Sequence, residues 1–165
     1  MAAFEMLYRR HKDPLYRYFL RGVQNEATAA ELFQECWSAI IRARSSYQPR
    51  ARFTTWLYRV AHSKLVDHLR LGLQRAQPLE ESPEPEAPAT ERPDRAAESA
   101  STARRLLQAL ALLPLEQRTA FLLKEEGGLS LEEIAQATGV GRETVKSRLR
   151  YALVKLREEL SDVWP

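Results

Sequence analysis

The stretch Ser130–Arg157, SLEEIAQATGVGRETVKSRLRYALVKLR, reads as two helices joined by a tight turn, the second strongly basic. Ser130 and Glu133 stand in capping-box order, the serine able to accept from a free amide and the glutamate able to reach back. Leu131, Ile134 and Ala135 give the first helix one apolar face, and Gly139 supplies the left-handed residue that ends it. Val140 is placed to plug the space between the helices, and Gly141 lets the chain turn again. In the second helix Val145, Leu149, Leu153 and Leu156 recur at three- and four-residue intervals, which predicts one buried stripe. The other face carries Arg142, Lys146, Ser147 and Arg150, flanked by Tyr151 and Arg157. From Gly141 to Arg157 there are six basic residues and one acidic one, an excess suited to a polyanion. Charge alone would fit an ordinary solvated helix. The cap, together with Ala135, Gly139 and Val145 at helix-turn-helix spacing over 131–150, points instead to a helix that enters a DNA major groove.

The chain has 165 residues, net charge +3 and pI about 9.2. That bulk charge is a weak signal, and its distribution says more. Residues 1–70 hold 12 Lys+Arg and 6 Asp+Glu, whereas residues 71–103 hold 3 and 7. One cysteine, Cys36, excludes an internal disulfide and fits plain helix packing in a reducing cytosol. No apolar run is long enough for a membrane span, and the N-terminus has no apolar signal core.

The expected fold class is all-α. Three helices are predicted in residues 1–72, over Phe4–Arg21, Glu26–Arg44 and Phe53–Leu71. Pro14 should kink the first or start a new turn. Ala29, Leu32, Phe33, Cys36, Ile40 and Ala43 form the apolar face of the second, with Glu31, Gln34, Glu35 and Ser38 towards the other side. Thr54 or Thr55 can cap the third. The loop before it, SSYQPRAR, sets Tyr47 among arginines. Aromatic rings beside cations suit a single-stranded nucleic acid, bases stacking on rings while the cations hold the backbone. The same residues would serve equally as core and solubilising charge.

Residues 73–103 read as a disordered acidic, proline-rich linker, too poor in large apolar residues to fold alone. Residues 104–165 read as a four-helix bundle containing the helix-turn-helix. Pro114 fits a first helical position, and Gly127-Gly128 ends the helix that follows. No glycine-rich phosphate loop and no Ser/His/Asp set on turns is present, so no catalytic residue is expected. His11, His62 and His68 have no partner cysteines at zinc spacing, so neither a metal nor a cofactor is expected.

Four segments together, ELFQECW (31–37), FTTWLYRVAHSKLVDHLR (53–70), LPLEQRTAFLL (113–123) and LSLEEIAQATGVGRETVKSRLRYA (129–152), make the chain resemble a bacterial RNA polymerase sigma factor. The resemblance is to the extracytoplasmic-function type of the sigma-70 family and covers about residues 4–71 and 104–160. It implies that Ala30–Trp37, with Glu31, Leu32, Gln34, Glu35 and Trp37, contacts the coiled coil of the largest subunit of core RNA polymerase. It implies that Tyr47, Arg50, Arg52, Phe53, Trp56, Arg59, His62 and Lys64 engage and help melt the −10 element, holding a flipped base. It assigns Arg142, Thr144, Lys146, Ser147, Arg150 and Tyr151 to the −35 element, with Ser130 and nearby amides holding phosphate. The linker would run near the polymerase active centre. An anti-sigma factor, promoter DNA and a cytoplasmic setting are implied as well. The chain departs from the family pattern in Glu31, where Asp is common, and in Gly141, where Ser or Pro is usual before the recognition helix. Its proline-rich linker is also long for the type. The rival reading is a stand-alone helix-turn-helix regulator, although the N-terminal half lacks the strand–helix alternation of a receiver domain.

Overall fold

The computed structural model describes residues 2–75 and 95–163, all helix, turn and loop with no strand among them. The element order is α1 (Ala2–Val23), α2 (Glu26–Ala43), α3 (Phe53–Arg75), α4 (Arg95–Leu112), α5 (Leu115–Glu125), α6 (Leu131–Thr138) and α7 (Arg142–Glu159). The expected all-α class is what is found. Most of the stretch read as a disordered linker lies outside the described residues. Its two ends do not, and there the disordered reading is corrected: α3 runs on to Arg75, and α4 starts at Arg95, where Ala96 and Ala97 are strong helix formers and Glu98 complements the N-terminal dipole.

Local chemistry sets the ends. Asn25 caps α2 by accepting from the Thr28 amide at 3.0 Å. Pro14 lies inside α1 without ending it. Pro114 is the residue before α5, with ψ 147°, one position earlier than the sequence suggests. Around α6 both signals hold: Ser130 Oγ accepts from the Glu133 amide, and Glu133 Oε1 accepts from the Ser130 amide, each at 3.2 Å. Gly139 ends α6 in the left-handed region with φ 73°. Gly141 sits before α7 with φ −72°, ordinary backbone for any residue.

In the first half, α1, α2 and α3 pack through Leu15, Tyr18, Phe19, Ala29, Cys36, Leu57 and Leu65, all fully buried. Gly22 permits a close approach here, since a Cβ would lie 2.9 Å from the Leu65 methyls. The Cys36 thiol is buried, and its pKa is pushed up to about 12 by that burial. In the second half, Leu110, Leu122, Leu123, Ile134, Val145 and Leu156 form the centre. The buried stripe of α7 is Val145, Leu149, Ala152 and Leu156. Leu153 is 40% exposed, so the expected stripe is corrected at that position. Both Ala152 and Leu153 fit the spacing. The small residue, Ala152, is fully buried and takes the inner position.

The two halves are not separate. Their buried residues form one continuous cluster, and α3 packs on α6 while α1 packs on α5 and α4. This answers a size problem, since some 60 residues bury too little surface to be comfortably stable alone. Polar contacts line the seam. Glu126, its side chain 5% exposed, accepts from Arg17 Nε at 3.0 Å and from Arg21. Arg118 donates to the Gly22 carbonyl at 3.2 Å. The Tyr58 hydroxyl donates to the Glu126 carbonyl at 3.4 Å, and its ring lies over Gly127, where a Cβ would sit 3.3 Å away. Thr55, expected as a possible cap for α3, instead donates across the seam to Glu133 Oε2 at 2.7 Å.

Ile134 is fully buried at the centre of the second half. Ile134→Ala is expected to cost about 2–5 kcal/mol, read as a lowered urea midpoint at unchanged slope.

Candidate nucleic-acid and polymerase interfaces

Three surfaces collect the residues singled out in the sequence. The first lies at the start of α3. Tyr47 stacks on Trp56 with ring centres 4.6 Å apart and planes 27° apart, and Phe53 meets Trp56 edge-on at 5.8 Å. His11 of α1 packs against Phe53 at 5.4 Å and backs the cluster. The Tyr47 hydroxyl donates to the Ala51 carbonyl at 3.3 Å, which closes the loop on itself before α3 begins. Tyr47 and Trp56, with Arg50 and Arg59, line a cleft of about 250 Å³ together with Ser46, Gln48, Ala51, Thr55 and Gln136 of α6, while Phe53 lies behind Trp56 and does not line it. A stacked aromatic pair flanked by guanidinium groups can hold a flat base and its phosphate.

His62 and Lys64 are not among the residues lining this cleft. Six residues along a helix turn through about 240°, which carries His62 to another face than Trp56. His62 is instead largely buried, its Nδ1 without a hydrogen-bond partner. Burial first, then the positive charges of Arg148 and Arg70, lower its pKa to about 4 against a smaller pull from Asp67. Lys64 lies near enough to act on the Cys36 thiol. Arg52 is turned away from the cleft towards Glu133 Oε1 at 3.5 Å.

The second surface is the outer face of α7. Arg142, Thr144, Lys146, Arg150 and Tyr151 are exposed and Ser147 is half-buried. Arg150 lies over the Tyr151 ring, 5.2 Å from its centre, a cation–π contact that stiffens an otherwise free side chain. Lys146, Ser147, Arg150 and Arg157 border a groove of about 470 Å³ whose floor is Leu131, Leu149, Leu153 and Val154. Arg142 is tethered: its Nε donates to Glu132 Oε1 at 2.7 Å, across the turn of the helix-turn-helix. The Glu132 carboxyl is held below its ordinary pKa by a backbone hydrogen bond and by Arg142. Ser130 spends its hydroxyl on the cap of α6.

The third surface is on α2. Glu31, Gln34 and Glu35 are exposed, with Ser38 and Arg42 continuing the row. Leu32 and Trp37, named with them in the sequence reading, are each only 5% exposed. Trp37 packs against Tyr8 at 5.1 Å and Phe4 at 5.8 Å. These two therefore position the exposed row and do not belong to it.

Among the described residues no group of three or more His, Cys, Asp or Glu is placed to hold a metal ion, and no helix is long and apolar enough to cross a membrane.

Residues 7–72 match the family described as Sigma-70 region 2, and residues 103–156 match Sigma-70, region 4. The RNA polymerase sigma factor CarQ of Myxococcus xanthus is 35% identical over 98% of this chain and 91% of its own length. The ECF RNA polymerase sigma factor RpoE of Cereibacter sphaeroides is 30% identical over 97% of this chain and 87% of that protein. The same fold is seen in a solved structure of the sigma factor RpoE in complex with the anti-sigma factor NepR from Bartonella quintana. Its TM-score is 0.77 at 18% identity, and it covers 100% of both chains.

The buried His62 generates a pH prediction. Its folded-state pKa lies below its unfolded value, so the unfolded chain takes up a proton first as pH falls. Stability is therefore lost progressively from about pH 6.5 down to about pH 4. Denaturation at pH 7 and pH 4.5 should show a larger drop for the wild type than for His62→Gln, by on the order of 2 kcal/mol.

Proposed function

The chain belongs to the sigma-70 family of RNA polymerase sigma factors, in its extracytoplasmic-function branch, and from that premise we propose how its three surfaces divide the work of promoter recognition. It binds core RNA polymerase and directs initiation at promoters read through their −10 and −35 elements. The row Glu31, Gln34 and Glu35 on α2 is the contact to the coiled coil of the largest subunit. Leu32 and Trp37 act from beneath, fixing the pitch at which that row is presented. The Tyr47–Trp56 stack with Arg50 and Arg59 captures a base extruded from the −10 region. Phe53 and His11 hold the stack rigid, and Arg52 is a phosphate ligand once it leaves Glu133. His62 and Lys64 take no direct part in base capture in this arrangement.

On α7, Arg150 and Lys146 are the best placed to reach base edges in a major groove, with Thr144 and Ser147 beside them. Tyr151 supports Arg150. Arg142 and the capped start of α6 position the helix on the sugar–phosphate backbone. The residues 1–72 and 104–165 serve as the −10 and −35 reading domains, and residues 73–103 connect them. The site of action is the cytoplasm, and an anti-sigma factor is the expected regulator, as for the fold relative bound to NepR. No role for the chain in bond making or breaking is proposed.

The observation that carries this reading is that one chain presents both readers. A ring stack flanked by arginines suits a single strand, and a capped helix-turn-helix suits a duplex. Co-elution with core RNA polymerase tests it. Wild type should co-elute, and a Glu31/Gln34/Glu35 triple alanine variant should not; failure of the wild type to bind core overturns the reading. Promoter titrations add detail. Arg150→Ala should cost about 1–3 kcal/mol, concentrated at one position of the −35 element if the contact is bidentate to a base. Trp56→Ala should cost about 1–3 kcal/mol on a −10 single strand and leave −35 duplex binding unchanged.

A further inference from the structure

The outer face of α7 holds more than a DNA contact needs. The groove along it has an apolar floor, made by Leu131 from the start of α6 and by Leu149, Leu153 and Val154 from α7. It also has a cationic edge of Lys146, Arg150 and Arg157. Leu153 is 40% exposed and Val154 46%. A lone exposed apolar side chain is ordinary on a protein surface. Here such side chains are contiguous and line one groove, on a helix that has already buried Val145, Ala152 and Leu156.

Duplex DNA makes use of the edge and not of the floor. Its accessible groups are phosphates, sugars and polar base edges, with the thymine methyl as the one apolar feature of the major groove. A recognition helix reads bases with its N-terminal residues, which here include Thr144, Lys146 and Ser147. Leu153 and Val154 follow Ser147 by six and seven residues, about 9–10 Å further along the helix axis. Base contact at the start of α7 therefore leaves both in water. The cationic edge also runs past the reading residues. Arg150 stands four positions after Lys146 and Arg157 seven after Arg150, which keeps all three on one side of the helix.

One chemistry satisfies floor and edge together. An amphipathic helix seats an apolar stripe at i, i+4 and i+7 in such a groove, and acidic residues beside that stripe meet the cations. Glu143 borders the groove at its N-terminal end. It repels an acid there and confines the partner's acidic side to the stretch opposite residues 146–157. A nucleic acid gains nothing from the floor, and an uncharged apolar segment gains nothing from the edge.

We propose that this groove is the docking site for an acidic amphipathic helix of a regulatory protein, and that its seat overlaps the −35 reading surface. This rests on the sigma-factor reading of α7 and gives the expected regulator a point of attachment on this lobe. Lys146 and Arg150 serve both ligands, so the helix and the −35 duplex exclude each other. Leu153 and Val154 serve the helix alone, which makes the two contacts separable by mutation.

The test uses the full-length chain and a fluorescein-labelled peptide of roughly 18 residues, about five helical turns. The peptide carries leucine at i, i+4, i+7 and i+11, glutamate on both flanks of that stripe and alanine elsewhere; a scrambled peptide has the same composition. Anisotropy should show saturable binding of the amphipathic peptide, with the scramble weaker on the order of tenfold. Leu153→Ser/Val154→Ser should weaken the peptide on the order of tenfold and leave the affinity for a promoter duplex carrying the −35 element unchanged. Arg150→Ala should weaken both ligands, and the unlabelled duplex should displace the peptide. Circular dichroism checks that the variants are folded; if the double variant is not, Val154→Ser alone decides. Absence of peptide binding overturns the proposal, and so does equal binding of the scramble, which marks a general polyanion surface. Peptide that stays bound under saturating duplex overturns the overlap. A concentration-dependent dimer in sedimentation that the serine variant lacks assigns the groove to a second copy and overturns the regulatory partner. Core polymerase co-elution is measured alongside. Loss of wild-type co-elution overturns the sigma reading, whereas retained co-elution with failed peptide binding overturns the groove assignment alone.

Discussion

One carboxylate, that of Glu133, ties the helix-turn-helix to the rest of the molecule. Helix α6 has only eight residues, too few to persist in water on propensity. It is held at its start by the Ser130–Glu133 reciprocal cap, at its end by the left-handed Gly139, and along one side by Ile134 in the core. Glu133 then reaches out of its own helix to Thr55 and Arg52. Burial pulls its pKa upward, but hydrogen bonds from Thr55 and Ser130 and the charge of Arg52 outweigh this, and the net shift is downward. The group is therefore ionised over the whole neutral range. It joins a local folding signal to a contact between the two halves of the chain.

The polar seam and the apolar cluster do different work. The apolar cluster that runs through both lobes supplies adhesion with little directional preference. Glu126 and Tyr58 select one docking geometry out of the many that adhesion would tolerate, because misplacing either would leave a carboxylate or hydroxyl group buried without a partner. A consequence is that α3 is shared property. One end of it carries the aromatic cleft, its middle packs with α1 and α2, and a further face supports α6. His62 shows the cost of that arrangement, sitting neutral beside Arg148 of the other lobe.

What could be read from the sequence was whatever is encoded within about one helical turn. The cap at Ser130, the stop at Gly139, the apolar face of α2 and the basic surface of α7 are all local patterns, and each is present. The aromatic cleft was legible in its composition, because Tyr47, Phe53 and Trp56 are close in the chain. The misplacements at Leu153 and Trp37 are long-range. Periodicity allowed Leu153 as readily as Ala152, and only the packing of other helices on α7 decides between them. Trp37 looked like part of an exposed row because the aromatic residues that bury it, Phe4 and Tyr8, come from another helix. His62 fell within a segment of fitting character, but the helix turns it away from Trp56. The docking of the two lobes had no local signature, since Glu126 and Glu133 look like ordinary surface acids until Arg17, Arg21 and Thr55 are brought to them.

Cys36 carries a practical implication. It is the sole thiol in the chain, fully buried and protonated far above neutrality. Maleimides and alkylating dyes react with accessible thiolate, which this position does not offer in the folded state. The native chain is thus a silent background for thiol-directed labelling: a dye would report on a newly introduced surface cysteine, with the natural residue left untouched. By the same chemistry Cys36 offers no accessible thiolate to an oxidant while the chain is folded.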